Sequence, residues 1–203
     1  MQQVRILRRK YKMKKETKTI KVVTGKVRLS YLNVFEPKSI NGGEAKYSVS
    51  LIIQKSDKKT IADINAAVEA AKQDGKGKFG GKVPANLKLP LREGNIDRPD
   101  DEAYANCYFI NANSKNKPGI VDKAVKTIFD QDELYSGCYG RASITFYAFN
   151  SNGNRGIACG LQNIQKLADG EPLSGRSTPE SDFDCNFDEP DYEEITPEDD
   201  ELA

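Results

Sequence analysis

The 203-residue chain has no histidine and no tryptophan, only four cysteines and only two methionines. Without histidine no side chain has an ordinary pKa near neutrality, so His-dependent triads are excluded and catalysis would have to rest on carboxylates, lysine or a metal. Without tryptophan, any aromatic stacking surface falls to the nine tyrosines and eight phenylalanines. Cys107, Cys138, Cys159 and Cys185 are far apart, form no C-x-x-C pair and have no histidine to complete a mixed zinc site. No metal or cofactor is expected, and the three cysteines among strand-like residues read as small core hydrophobes. No apolar run reaches the roughly 18 residues of a membrane span, and Arg5, Arg8, Arg9 and Lys10 precede no signal-peptide-like stretch. A soluble intracellular protein with no membrane partner is expected.

Lys and Arg total 31 against 30 Asp and Glu, a formal net charge of +1. That balance is a cancellation. Asp169 to Ala203 holds 14 acidic residues and one basic residue, Arg176, so the segment carries −13 and residues 1–168 carry +14. A basic body with a polyanionic tail is the charge pattern of a protein that binds a polyanion and carries its own competitor for that surface. The chain divides into a basic flexible arm (1–18), one β domain (19–168) and an acidic disordered tail (169–203). Met13 offers a second start, in which case residues 1–12 would be an extension.

Thr19–Asn33 reads as one long strand with Gly25 as a bulge or bend. Alternation puts Val23, Val27, Leu29 and Tyr31 on a buried face, and Thr24, Lys26, Arg28 and Ser30 on a cationic solvent face. Asn33–Glu44, with Pro37, Gly42 and Gly43, reads as a loop. In AKYSVSLIIQ, Tyr47, Val49, Leu51 and Ile53 alternate with Lys46, Ser48 and Ser50, which predicts a strand. Asp57 is placed to cap a helix reaching about Asp74, with Ile61, Ile64, Val68 and Ala71 at helical spacing. The following GKGKFGGK is expected to be mobile and cationic, and it is no phosphate loop because Val83 follows Lys82. LKLPLREG is extended around Pro90 and YANCYFINANS is strand-like. LYSGCYGRASITFYAFN and NRGIACGLQNIQKL are two further strands joined by an Asn-Gly hairpin signal at Asn152-Gly153. At least five strands against one helix imply a mainly β domain, a small barrel or a sandwich.

The chemistry of these faces is cationic and aromatic. Along RASITFYAFN, Ala142, Ile144, Phe146 and Ala148 point one way and Arg141, Ser143, Thr145, Tyr147 and Phe149 the other. A guanidinium beside aromatic rings suits a single-stranded nucleic acid, whose phosphates need cations and whose unpaired bases need flat π faces. Tyr104, Tyr108 and Phe109 form a second aromatic group near Lys115 and Lys117, with Tyr108 and Phe109 on opposite sides of their strand. Asp97, Asp100, Asp101 and Glu102 are the best acidic cluster for a metal-dependent nuclease. They sit in a Pro-containing loop and are expected to be solvated carboxylates with nothing to fix them.

The run LYSGCYGRASITFYAFNSNGNRGIACGLQNIQKLADGEPL, with TGKVRLSYLNVFEPKSINGGEAKYSVSLIIQKSD and NANSKNKPGIVD, resembles the bacteriophage single-stranded DNA-binding proteins of the Enc34-like (DUF2815) family. The resemblance covers about Thr19 to Pro172. It implies an OB-fold, a five-stranded Greek-key barrel, here with an inserted helix and long loops and distantly similar to the phage T7 type, followed by an acidic C-terminal tail. Tails of such proteins often end in an aromatic residue. This one ends Glu201-Leu202-Ala203, with Phe183, Phe187 and Tyr192 further back.

The resulting expectation is a non-enzymatic phage protein that coats single strands during DNA replication, recombination or repair in the cytoplasm of the bacterial host. DNA contacts are expected from Lys26, Arg28, Lys46 and Arg141, from Lys76, Lys78 and Lys82, from Lys115 and Lys117, and from Tyr104, Tyr108, Tyr147 and Phe149. The tail would modulate DNA binding and recruit phage or host replication and recombination proteins through Phe183, Phe187 and Tyr192, and a homo-oligomer is left open. The rival readings are a phage structural or assembly protein and a metal-dependent nuclease.

Overall fold

A computed structural model of the chain describes residues 20–39, 42–151 and 153–173. In chain order its strands are β1 (Lys21–Val23), β2 (Val27–Lys38), β3 (Lys46–Gln54), β4 (Arg92–Glu93), β5 (Cys107–Ser114), β6 (Gly119–Val121), β7 (Tyr139–Ser151) and β8 (Asn154–Ala168). One long helix, α1 (Lys58–Asp74), lies between β3 and β4. No helix among the described residues is long and apolar enough to cross a membrane.

Five strands close on themselves. β2 pairs antiparallel with β3, β3 with β5, β7 with β8 and β7 with β2, and the ring is completed by a parallel bridge between β5 and β8 at Asn113 and Gly160. The last barrel strand thus inserts between the third and the fourth, giving the five-stranded Greek-key barrel of an OB-fold. β1, β4 and β6 are short additions beside β7, β5 and β8.

Alternation writes this barrel into the sequence most plainly on β3 and β7. Val49, Leu51 and Ile53 are buried, as are Ala142, Ile144, Phe146 and Ala148, and these residues fill the barrel with Val27, Leu29, Ile110, Ala112, Ile157 and Leu161. Ser151 pairs with Asn154 and Gly153 takes φ +78°, as the hairpin signal predicts. Asp57 caps α1 by accepting a hydrogen bond from the Thr60 N–H at 3.0 Å, and the helix lays Ile64, Ala67, Val68 and Ala71 onto the barrel beside β1 and β7. Cys138 and Cys159 are buried free thiols and Cys107 is half-buried, while Cys185 lies outside the described residues. Burial raises the Cys159 thiol pKa, so it behaves as the expected core hydrophobe.

Four local readings change. The single strand from Thr19 to Asn33 is broken at Gly25, where a Cβ would stand 2.6 Å from Asp57 Oδ2 and the Gly25 N–H donates to Thr60 Oγ1 at 2.8 Å. The start of α1 therefore presses directly on this backbone. The bend shifts parity: Val22 and Thr24 turn inward and Val23 is half exposed. Second, β2 continues through the expected loop to Lys38, with Pro37 tolerated at a shift in the β2–β3 register. Third, Gly75–Phe79 is an ordered 3₁₀ turn that buries Phe79 against the core, so GKGKFGGK is anchored over its first half. Fourth, the chain stays packed on the barrel to Leu173, beyond the expected boundary at residue 168.

Candidate nucleic-acid interface

The outer face of β2, β3 and β5 forms a groove of about 680 Å³. Register sets its floor in cross-strand rows: Ser30 lies opposite Ser50 and Ser50 opposite Asn111, and one step along Asn33 lies opposite Ser48 and Ser48 opposite Asn113. Asn33 Nδ2 donates to Ser48 Oγ at 3.2 Å, so the floor is uncharged but hydrogen-bonding. Charged residues stand at its ends, Lys38 and Lys46 with the Glu44 carboxylate at one and Arg98 at the other.

The Arg98 end is built by a bulge. Between the pairs Ser30–Ser50 and Asn33–Ser48, β2 advances three residues while β3 recedes two. The extra residue leaves Tyr31 at φ +47° and 55% exposed. Alternation predicts a buried Tyr31; the bulge overturns that by switching its face. Arg98 sits 4.5 Å from the Tyr31 ring centroid, 4.4 Å from that of Tyr104 and 5.2 Å from that of Phe109. Tyr104 and Phe109 meet edge to face at 5.1 Å and 86°. The Tyr31 and Tyr104 centroids are 6.5 Å apart, so the guanidinium sits in the corner between an exposed ring and two buried ones and ties the exposed ring to the buried pair.

Tyr104 was expected among the DNA contacts, but it is fully buried and its hydroxyl donates to Ser50 Oγ at 2.9 Å, so it cannot take a base. Burial raises its phenol pKa. Among the loop carboxylates, Asp97 and Asp101 also depart from expectation. Asp97 accepts from Arg92 at 2.6 Å, and that bond holds its carboxyl below the usual range. Asp101 lies 3.9 Å from Arg98, accepts from the Ala103 N–H and stands 3.5 Å from the Tyr31 hydroxyl. Arginines therefore hold Asp97 and Asp101, Asp100 and Glu102 are exposed as expected, and among the described residues no group of three or more His, Cys, Asp or Glu side chains could hold a metal ion.

The other expected contact residues are dispersed. Lys46 lines the groove and Lys115 sits near it, paired with Glu44 at 2.8 Å. Lys117 lies 5.9 Å from the Phe35 ring and Tyr108 is half-buried against Lys55. Arg141, Tyr147 and Phe149 are on β7 and do not line the groove: Arg141 donates to the Thr24 carbonyl at 3.2 Å, Tyr147 is 44% exposed and Phe149 is half-buried. Lys76 and Lys82 are exposed, and Lys78 donates to the Ala148 carbonyl at 3.0 Å. Lys26 and Arg28 lie at the far end of β2, 4.4 and 5.9 Å from the Tyr139 ring. Phe183, Phe187 and Tyr192 lie outside the described residues. Tyr31, Arg98, Asn111 and Asn113 were not singled out as contacts by the sequence, since a bulge and an arginine among four acids give no periodic signal.

The sequence profile of the Enterobacter phage Enc34 ssDNA-binding protein family matches residues 20–196. Putative protein p50 of Acyrthosiphon pisum secondary endosymbiont phage 1 is 29% identical over 167 residues, spanning 77% of this chain and 88% of p50. The single-stranded DNA-binding protein from bacteriophage Enc34, solved in complex with ssDNA, superposes with a TM-score of 0.66 at 25% identity, covering 75% of this chain and 89% of that one. The gp2.5 single-stranded DNA-binding protein of bacteriophage T7 superposes with a TM-score of 0.55 at 12% identity, covering 84% and 98%, a likeness of fold. With a profile match across most of its length and the barrel to go with it, this chain belongs to the Enc34 family of phage ssDNA-binding proteins.

Proposed function

We propose that this chain binds single-stranded DNA without regard to sequence, in the groove over β2, β3 and β5, and acts by binding rather than catalysis. One observation carries the reading: Tyr31 is held out of its strand by a bulge and backed by Arg98, at the end of an uncharged hydrogen-bonding floor. An exposed ring offers a stacking face to any base, and the cations at the two ends suit phosphates. OB barrels take oligonucleotides on this part of their surface. Lys46 and Lys115 serve the same path, and Arg141, Tyr147 and Phe149 are secondary to it.

The role that follows is coating and protecting single strands in phage replication, recombination or repair in the host cytoplasm. The acidic tail competes for the groove and recruits replication or recombination proteins through Phe183, Phe187 and Tyr192. Its root supports this reading. Leu173 packs beside Ile52, Tyr104 and Phe109 and lines a cleft with Tyr31 and Asp101, so the last described residue before most of the acids lies beside Tyr31. Gel shifts of matched single- and double-stranded oligonucleotides test the function. A clear preference for the unpaired strand is expected, and ordered assembly without DNA and without that preference would favour a structural protein.

A further inference from the structure

The line of β2 does not stop at Tyr31. Two residues before Ser30, about 7 Å along the strand, Arg28 lies opposite Tyr139 of β7 on the same outer face, and the Lys26 ammonium is 4.4 Å from the same ring. This is a second station of cations and an aromatic ring, in line with the groove. Asp169–Leu173 lies over Arg28 and Tyr139, with Gly170 so close that a Cβ there would stand 2.9 Å from Tyr139 Cε2, while Lys26 stays exposed.

Hydrogen bonds and one ion pair hold the cover. Arg28 Nη2 donates to the Glu171 carbonyl at 2.8 Å, the Tyr135 hydroxyl to the Gly170 carbonyl at 2.9 Å, the Leu173 N–H to the Ser136 carbonyl at 2.8 Å, and Lys166 pairs with Asp169 at 2.7 Å. It can lie this close because Gly137, at φ +124°, has no side chain: a Cβ there would collide with the Glu171 carbonyl. The fit is incomplete at one telling atom. Arg28 Nε is buried with no hydrogen-bond partner, so the guanidinium is only half used by the backbone carbonyl it holds. A phosphate accepts from both edges of a guanidinium, which one carbonyl cannot do.

We infer that Asp169–Leu173 is a displaceable strap over a second nucleic-acid station formed by Arg28, Tyr139 and Lys26, and that a strand long enough to pass Tyr31 lifts it. The inference rests on the groove being the DNA path. It adds that the bound strand runs down β2 toward Lys26. It also gives Arg28 two uses, clamping the strap when free and holding phosphate when bound. Because Leu173 lines a cleft with Tyr31, lifting the strap also moves this end of it away from Tyr31.

The test uses the full chain with oligothymidylates of about 5 and about 15 nucleotides, spanning the range of single OB-fold sites, and reads exchange of the Leu173 amide. With the longer strand that amide should exchange at least about tenfold faster, as local opening predicts, while the shorter one leaves it protected. Tyr139→Ala should weaken the longer oligonucleotide roughly tenfold, the worth of one stacked base, and leave the shorter unchanged, which also reports that the barrel is folded. If anisotropy shows the longer strand bound while Leu173 keeps its protection, or if Tyr139→Ala affects both lengths equally or neither, the strap is only structural and the groove reading stands. If neither oligonucleotide binds, the groove reading fails and this inference with it.

Discussion

Arg98 connects the buried and exposed parts of the proposed site, since its guanidinium lies in the corner between Tyr31 and the Tyr104–Phe109 pair. Arg98→Ala removes the support of the Tyr31 ring together with a cation, and single-strand affinity should fall by about 10- to 100-fold, equivalent to roughly 1–3 kcal/mol. Arg98→Lys should recover only part of that, because an ammonium lacks the planar group that contacts several rings at once. Tyr104→Phe separates structure from binding. It deletes the buried hydroxyl bond to Ser50, which should cost about 1–2 kcal/mol in urea unfolding with little effect on DNA affinity. A large loss of affinity at unchanged stability would return Tyr104 to the contact surface.

At the scale of elements, α1 and the Gly25 bend form one unit. Gly25→Ala would force a Cβ against Asp57 Oδ2 and Thr60 Oγ1, the two groups that start the helix. It should destabilise the domain by about 1–3 kcal/mol, more than Asp57→Ala at about 1 kcal/mol, as denaturant midpoints would show. The surface pairs set the acid response. Hydrogen bonds from Arg92 and Lys115 hold the Asp97 and Glu44 carboxyls below the usual range. Depressed carboxylates contribute stability above their unfolded pKa and lose it as pH falls through the folded one. Stability from these pairs should therefore be flat above about pH 5 and decline below about pH 4, by a small amount since both pairs are at the surface. Asp97→Asn should flatten part of that decline in melting curves.

The same elements show what the sequence discloses. β3 and β7 are legible because one face is barrel interior and the other is not, so period-two alternation survives intact from Val49 to Ile53 and from Ala142 to Ala148. β2 is legible as a strand but not in its faces, since the Gly25 bend and the Tyr31 bulge each shift parity by contacts made with distant residues. The candidate site falls where that reading breaks down. Lys46 could be found from strand alternation, whereas Tyr31 needed the register with β3, and Arg98 needed a loop whose course is set by Arg92, Asp97 and the Tyr104–Phe109 pair. Tyr104 and Tyr108 show the converse: aromatic composition marks the neighbourhood, but burial decides which ring is free.

For the whole molecule, the division of charge governs affinity. Residues 1–168 carry +14 and the segment from Asp169 carries −13. Truncation after Leu173 removes most of those acids and spares the packed residues that hold the strap. It should raise single-strand affinity most at low salt, where a Debye length of about 30 Å at 0.01 M lets tail and body interact. Unchanged affinity would leave the tail with partner recruitment alone. In either form, log affinity should fall with log salt at about −0.7 per phosphate contacted. A flat salt dependence would remove the cations from the account.

The measurement that bears most directly on the groove is anisotropy of a labelled oligothymidylate titrated with the wild-type protein, Tyr31→Ala and Tyr147→Ala at one salt concentration. Of these two exposed tyrosines, Tyr31 lines the groove, whereas Tyr147 lies on the β7–β8 hairpin outside it. With the path on β2, β3 and β5, Tyr31→Ala should weaken binding at least about tenfold and Tyr147→Ala by less than about threefold, both proteins remaining folded by circular dichroism. A large loss with Tyr147→Ala beside an unaffected Tyr31→Ala would put the strand on the β7–β8 face and contradict the assignment.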